Sequence, residues 1–271
     1  MKYNFKDISF LIHIRVDIPE RLRNLELVIE YYHKYCENVE FIIVNDDTVV
    51  EPRIKELYKK YPNSKFMFME NNSTYKRTLA FNKAFLQTDR DIVIAGDTDI
   101  IIHPKYIIEG AEVIKSGKAN HVFPYNGVFC WVRDNLINEF VKELDIAEFE
   151  KYTPTLDQRN SLHQDSNILI AHNHSKGGCI MYSSELYKSI NGYNPGFIGW
   201  GFEDDEINHR IIELGGITAR VHNYDAIAWH LNHPNTVRDE HPFYRNNYNI
   251  SNYVHTLKGN QLKEYIKTWN I

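Results

Sequence analysis

Cysteine is scarce in this sequence. The 271 residues hold three, Cys36, Cys130 and Cys179, an odd number spread far apart. That pattern excludes a disulfide framework and a CxxC zinc site, and it points to a reducing compartment. An excess of basic charge is also missing: the formal net charge is -5, so bulk electrostatics argue against a nucleic-acid partner. Long apolar runs are missing as well. The opening MKYNFKDISFLIHIRVD offers only about seven apolar residues before Arg15, short of a signal-peptide core or the ~20 residues of a membrane-spanning helix. A cytoplasmic protein is expected. Internal repeats, low-complexity tracts and linker-like stretches are not seen, and a chain of this length can bury a sizeable core as one domain. The 18 Tyr and 14 Phe suit sugar stacking and an ordinary core equally, so they decide nothing.

What is present is an alternation. ISFLIHI (8–14) and VEFIIV (39–44) read as buried strands, and KFMFME (65–70) and DIVIAG (91–96) as a third and a fourth strand. Between them PERLRNLELVIEYYHKY, EPRIKELYKKY and YKRTLAFNKAFLQ read as helices. This predicts an α/β fold with a mostly parallel sheet and helices on both faces. Right-handed crossovers place the C-terminal strand ends on one edge, where open α/β sheets bind ligands. The loops there carry Arg15, Asp17, Asn45, Asp46, Asp47, Asn71, Asn72, Asp97 and Asp99. The second half is less regular. ANHVFPYNGVFCWV reads as strand, turn, strand; residues 145–176 read as a long polar loop of the lid or binding type. GGCIMYSS reads as a strand, SELYKSIN as a short helix capped by Ser184, and TARVHNYDAIAWHL as a tail strand. The C-terminal NYVHTLKGNQLKEYIKTWNI is helix-like. It is expected to pack on its own domain, the alternative being rest on a membrane surface.

Two constellations carry chemistry. In AGDTDI, an extended chain would point Asp97 and Asp99 the same way, a natural arrangement for a hard divalent cation. AIAWHLNHP offers His230 and His233, and neutral imidazole suits manganese-class and zinc-class metals. His13, His163, His172, His174 and His222 read as structural or loop residues. In GWGFEDDEINHR (199–210), the helix predicted from Phe202 to Leu214 has Ile207, Ile211, Ile212 and Leu214 on one stripe, and Gly215 and Gly216 stop it. Glu203, Asp204, Asp205 and Glu206 therefore fill its first turn. The helix dipole favours each acid there by roughly 0.3 to 1 kcal/mol, which accounts for one or two of them. Successive residues fan out by about 100°, so the others are free for separate tasks such as accepting a hydroxyl proton or gripping a sugar. Trp200, flanked by glycines, could stack on a sugar ring.

NGYNPGFIGWGFEDDEINHR resembles the C-terminal signature of metal-dependent inverting glycosyltransferases of the GT-A fold. It is most similar to the β-1,4-galactosyltransferases and to bacterial enzymes that build chondroitin-like and other capsular polysaccharides. IRVDIPERLRNL, IIVNDDT, YKRTLAFNKAF, AGDTDI, GGCIMYSSE and AWHLNHP extend the resemblance over most of the chain. The resemblance implies one Rossmann-like domain over residues 1–250, with a nucleotide-sugar half (1–118), an acceptor and metal half (119–250) and a helical tail (251–271). Asp99 and His230 would bind Mn²⁺ or Mg²⁺, and Asp97 would touch the ribose or donor sugar and join the metal. Arg15 and Asp46 would hold the nucleotide of a UDP-sugar, with Arg77 near the donor. Asp204 would be the base, Glu203 would position the acceptor hydroxyl, Asp205 would contact the acceptor, and Trp200 and Gly178 would line its site. Phe202 stands where the galactosyltransferases have glycine, so it bears on sugar choice. The partners implied are a UDP-sugar and a saccharide acceptor, lipid-linked in a capsule-building setting, with at most peripheral contact at the inner face of a bacterial plasma membrane.

Two rival readings follow from the residues. A sugar-phosphate nucleotidyltransferase would want a glycine-rich loop after the first strand, and HIRVDIPE has no glycine. A non-catalytic saccharide-binding protein would not need the full set of acids, D-x-D and histidine.

Overall fold

The computed structural model describes residues 2–234 and 241–269. In chain order the first half runs β1 (Tyr3–Asn4), β2 (Ile8–Ile14), α1 (Pro19–Tyr35), β3 (Cys36–Glu37), β4 (Glu40–Asp47), α2 (Pro52–Lys59), β5 (Lys65–Glu70), α3 (Arg77–Phe85), β6 (Ile92–Gly96), β7 (Ile100–Ile101) and α4 (Pro104–Lys115). The second half continues with β8 (His121–Phe123), β9 (Phe129–Val132), α5 (Asp134–Glu143), α6 (Ala147–Glu150), α7 (Leu156–Asn160), β10 (Ile168–His172), β11 (Cys179–Ser183), α8 (Ser184–Ser189) and α9 (Glu203–Glu213). It closes with β12 (Thr218–Arg220), β13 (Ala228–Leu231), α10 (Tyr244–Thr256) and α11 (Gly259–Lys267).

The central sheet has the order β12-β8-β11-β6-β2-β4-β5. The pairs β6–β2, β2–β4 and β4–β5 are parallel, as the alternation predicts. Strands β2, β4 and β6 are apolar runs buried on both faces, while β5, at the sheet edge, is half-buried to exposed. Burying each such Ile, Val or Phe contributes on the order of 1.5–3 kcal/mol. Phe10, Phe41 and Tyr32 form one aromatic cluster between sheet and α1, with the two phenylalanine rings stacked at 4.8 Å. Beyond β6 the order changes: β11 lies antiparallel to both β6 and β8. Nothing in GGCIMYSS signals that direction. A second sheet, β10-β9-β13-β7, stands beside the first and brings β13 next to β7.

Helix boundaries follow local chemistry. Pro19, Pro52 and Pro104 each open a helix, where the missing N–H costs nothing. Gly110 lets α4 approach the sheet, since a Cβ there would lie 2.8 Å from Met181 Sδ. Three sequence expectations need correction. The cap of α8 is Ser183, whose hydroxyl accepts from the Leu186 N–H, not Ser184. Residues 145–176 are not one long loop, because α6, α7 and β10 lie within them. On α9 the buried stripe is Ile207 and Ile211, while Ile212 is exposed.

The C-terminal helices pack on the domain. Val254, Leu262 and Ile266 are buried together, and Asn191 donates to the Ile266 carbonyl. The apolar side of α11 is thus engaged with protein. No helix among the described residues is long and apolar enough to cross a membrane.

Candidate active site

The C-terminal ends of β2 and β6 open into a cleft of ≈ 540 Å³. Arg15, Arg77, Asp97, Asp99, Gly178, Trp200, Phe202, Glu203, Asp204, Asp205, His230 and His233 all line it. The strand-end rule and the two acidic motifs therefore converge on one place.

The D-x-D does not act as an extended pair. The chain turns at Thr98 and Asp99 before β7 begins. Asp97 goes to Arg77, at 2.9 Å, and Asp99 goes to the histidines. The Asp99 carboxylate lies 3.5 Å from His230 Nε2 and 3.3 Å from His233 Nε2. The register explains this: His230 on β13 pairs with Ile100 on β7, one residue from Asp99. The Leu231 N–H donates to the Asp99 carbonyl at 2.8 Å, fixing the two segments together. The His230 ring stacks on Trp131 at 4.9 Å. Ligand atoms of Asp99, His230 and His233 lie within 4.8 Å of one another, and among the described residues this is the group with metal-ligand geometry. Asp97 is not part of it, so its expected place on the metal is not where the structure puts it. His233, left open beside His230 in the sequence, joins it. Burial works against ionised Asp99, yet His230 and His233 outweigh it and hold the carboxyl down at about 2. Asp99 Oδ1 is buried without a hydrogen-bond partner among the described residues. A carboxylate with one oxygen toward each of two imidazoles, and Oδ1 without a hydrogen bond, fits a cation ligand.

At the other side of the cleft, the four acids of α9 have separate environments. Glu203 accepts from the Gly201 N–H and from Arg77, both at 2.9 Å. Asp204 keeps 25% of its side chain exposed, and Oδ1 has no hydrogen-bond partner among the described residues. The Arg77 guanidinium is 4.0 Å from that oxygen. Asp205 is the most exposed, near Lys176 and His255. Glu206 is fully buried and paired twice with Arg210, at 2.9 and 3.1 Å. Its work is structural, beyond the helix dipole. Burial pushes the Asp204 carboxyl up to about 7. Arg77 opposes the rise, and Glu203, Asp97 and Asp205 add to it. Asp97 is likewise raised to about 6 by burial, against Arg77. Arg77 therefore spans both motifs and does more than lie near a donor.

Glycine makes room for this arrangement. A Cβ on Gly177 would stand 2.3 Å from Asp204 Oδ2, so any side chain there would push that carboxylate out of its place. The Tyr125 hydroxyl donates to the Gly177 carbonyl at 2.7 Å, and the Asp97 N–H donates to the Gly178 carbonyl at 2.8 Å. The GG pair thus ties Asp204 to the D-x-D. Phe202 begins α9 in the left-handed region, with φ 69°. That explains why glycine suits the position in similar enzymes. Here the ring is retained against Tyr244 and Tyr248, at 5.1 and 5.4 Å.

Asp46 is not brought into the cleft. It is fully buried, accepting from His13, Asn71 and the Lys76 N–H. It is therefore corrected from a nucleotide contact to a support for His13 and the start of α3. His13, His172 and His174, read as structural or loop residues, do line the cleft. The resemblance matches Asn82, five residues after Arg77 on the donor-side helix, but neither its hold on the NGY turn nor the role of Asn247 was foreseen. Asn82 on α3 accepts from the Tyr193 N–H and donates to the Tyr193 carbonyl, holding the NGY turn. Asn247 on α10 donates to the Ile198 and Trp200 carbonyls, holding the GWG loop. For Asn247 the available signal was an asparagine in a helix, which has weak propensity there.

Residues 164–234 match a family model described as the N-terminal domain of galactosyltransferase. A search of curated proteins finds no match. The fold is similar to the catalytic domain of Drosophila β1,4-galactosyltransferase 7, solved in complex with xylobiose. The TM-score is 0.51 at 15% identity, covering 92% of this chain and 79% of that one. The chain thus carries a galactosyltransferase-type segment, which includes β11, the acidic start of α9 and β13, on a fold of the GT-A type.

Proposed function

We propose that the protein moves a sugar from a UDP-sugar to a hydroxyl of a saccharide acceptor, inverting the anomeric centre. One observation carries the reading. A single cleft pairs the Asp99–His230–His233 group with a carboxyl, Asp204, that is pushed up to about 7 and keeps an unpartnered oxygen among the described residues. The mixed carboxylate and imidazole set suits Mn²⁺, with Mg²⁺ as the second choice. Bound there, the ion would neutralise the diphosphate that leaves with the nucleotide.

The chain's own residues supply the rest. Asp204 accepts the acceptor's proton as the new bond forms, and a carboxyl poised near neutral pH is a stronger base than an ordinary one. Arg77 holds Asp97 and Glu203 in place and keeps enough positive charge near Asp204 for it to ionise. Trp200 gives the acceptor a ring to stack on, Gly178 lines the same site, Asp205 offers a hydroxyl contact, and Arg15 bounds the donor side. The similarity of the acceptor motif to capsule-building enzymes favours surface polysaccharide synthesis. The setting would be the inner face of a bacterial plasma membrane, with a lipid-linked acceptor. The three cysteines, all buried and unpaired, fit a reducing cytoplasm.

A panel of UDP-sugars assayed for UDP release with and without Mn²⁺ tests the reading. Metal-stimulated release is expected for at least one donor, and Asp99→Asn should remove the stimulation. Asp204→Asn should abolish transfer yet still bind UDP. Full transfer by that variant would sink the assignment of the base.

A further inference from the structure

Helix α10 is built from residues that a helix does not favour. Asn246, Asn247, Asn249 and Asn252 all lie within it, and asparagine is a weak helix former. Asn247 is accounted for by the GWG loop it holds. The other three are exposed, where alanine, lysine or glutamate would serve the helix better. Asn249 and Asn252 share a face with Arg245 and Tyr248, by their spacing of three and four residues. Tyr248 is 39% exposed, and the Arg245 guanidinium sits 5.5 Å from its ring.

That face is continuous with the cleft. Trp200 lines the cleft and stacks on Tyr244, at 6.0 Å and 9°. Phe202 also lines it and touches both Tyr244 and Tyr248, which lie beyond its lining. Rings therefore lead outward from the acidic start of α9 to an exposed helix face edged with amides. Aromatic faces suit the C–H side of a pyranose, and amide and guanidinium groups suit its hydroxyls.

We infer that α10 forms a second sugar subsite, so that the acceptor is an oligosaccharide of at least two rings. Resting on the transferase reading, its terminal ring lies at Asp204 and the next ring lies on Tyr248, with Asn249 and Asn252 as hydroxyl partners. A monosaccharide acceptor would leave this face without a task.

Saturation-transfer NMR on the full chain, with UDP and Mn²⁺, tests the subsite. The probes are gluco-, galacto- and xylo-oligosaccharides of one to four rings. The expected result is affinity at least tenfold higher for some member of two or more rings than for its single sugar, with two adjacent rings saturated. Tyr248→Ala and the double variant Asn249→Ala/Asn252→Ala should each lose that gain. The double variant should also melt higher than the parent, because alanine is the better helix former. Equal affinity at all lengths, saturation of one ring only, no binding by any probe, unaffected variants, or a lower melting point for the double variant would each overturn the subsite. UDP release from UDP-sugars without acceptor is measured in parallel. Its absence alongside two-ring binding would overturn the transferase reading and leave the subsite standing.

Discussion

Gly177→Ala should separate catalysis from stability. The backbone at Gly177 lies outside the left-handed region, so alanine meets no conformational strain. Its methyl would stand 2.3 Å from Asp204 Oδ2 and 3.3 Å from Asp204 Cγ, against the 3.4 Å at which such contacts become ordinary. The obstruction is the tip of one side chain, so Asp204 can swing aside by about 1 Å at little cost in folding. A displacement of that size at a reacting group can cost ~100-fold in rate, or about 2.7 kcal/mol of barrier. Steady-state transfer should therefore show kcat reduced by roughly two decades, while the urea midpoint barely moves. Gly178→Ala is the contrasting variant. Its φ is +80° and its Cβ would meet the Phe129 ring at 3.0 Å. That change should lower stability by about 1–2 kcal/mol or more. If Gly177→Ala kept its kcat within twofold, Asp204 would not be the base.

Transfer should rise with pH through about 7 and then level off, because Asp204 must be ionised to take a proton; a profile flat from pH 5 to 9 would contradict this. The folded state holds the Asp204 proton more tightly than the unfolded chain does, so stability falls as pH climbs from about 4 to about 7. Asp204→Asn should accordingly melt higher than the parent at pH 8 and no higher at pH 3.5. Glu206→Ala leaves Arg210 charged and buried without its carboxylate. It should cost ~3–5 kcal/mol by denaturant titration, and a loss under about 1 kcal/mol would refute the pairing. At position 202, glycine should be more stable than alanine by about 1 kcal/mol, since both lose the ring and only alanine keeps the left-handed strain.

Much of the scaffold was legible because it is periodic. The four apolar runs from Ile8 to Gly96 alternate with helices, and parallel pairing follows from that order. The direction of β11 was not legible, because a short buried strand looks the same either way round. The cleft's acids were readable as motifs, but their partners were not. Asp97 and Asp99 part company because the chain turns at Thr98, and residues in a D-x-D carry no sign of that turn. Asp46 looked like its neighbours at the strand ends and proved to be buried under His13. Arg77, Asn82 and Asn247 act across 126, 111 and 49 positions, to Glu203, Tyr193 and Ile198. Separations that long leave no local pattern.

The contact between Asn82 and Gly192 has a consequence for how such chains can vary. A side chain on Gly192 would begin 2.3 Å from Asn82 Oδ1, and that same oxygen accepts from Tyr187 and from the Tyr193 N–H. Neither position can change alone without a clash or a stranded polar group. Across sequences of this type the two should be inherited as a couple, with a larger residue at 192 admitted only where 82 has become smaller. Departures from that rule would mark lineages in which the NGY turn, and the acceptor loop that follows it, has been rebuilt.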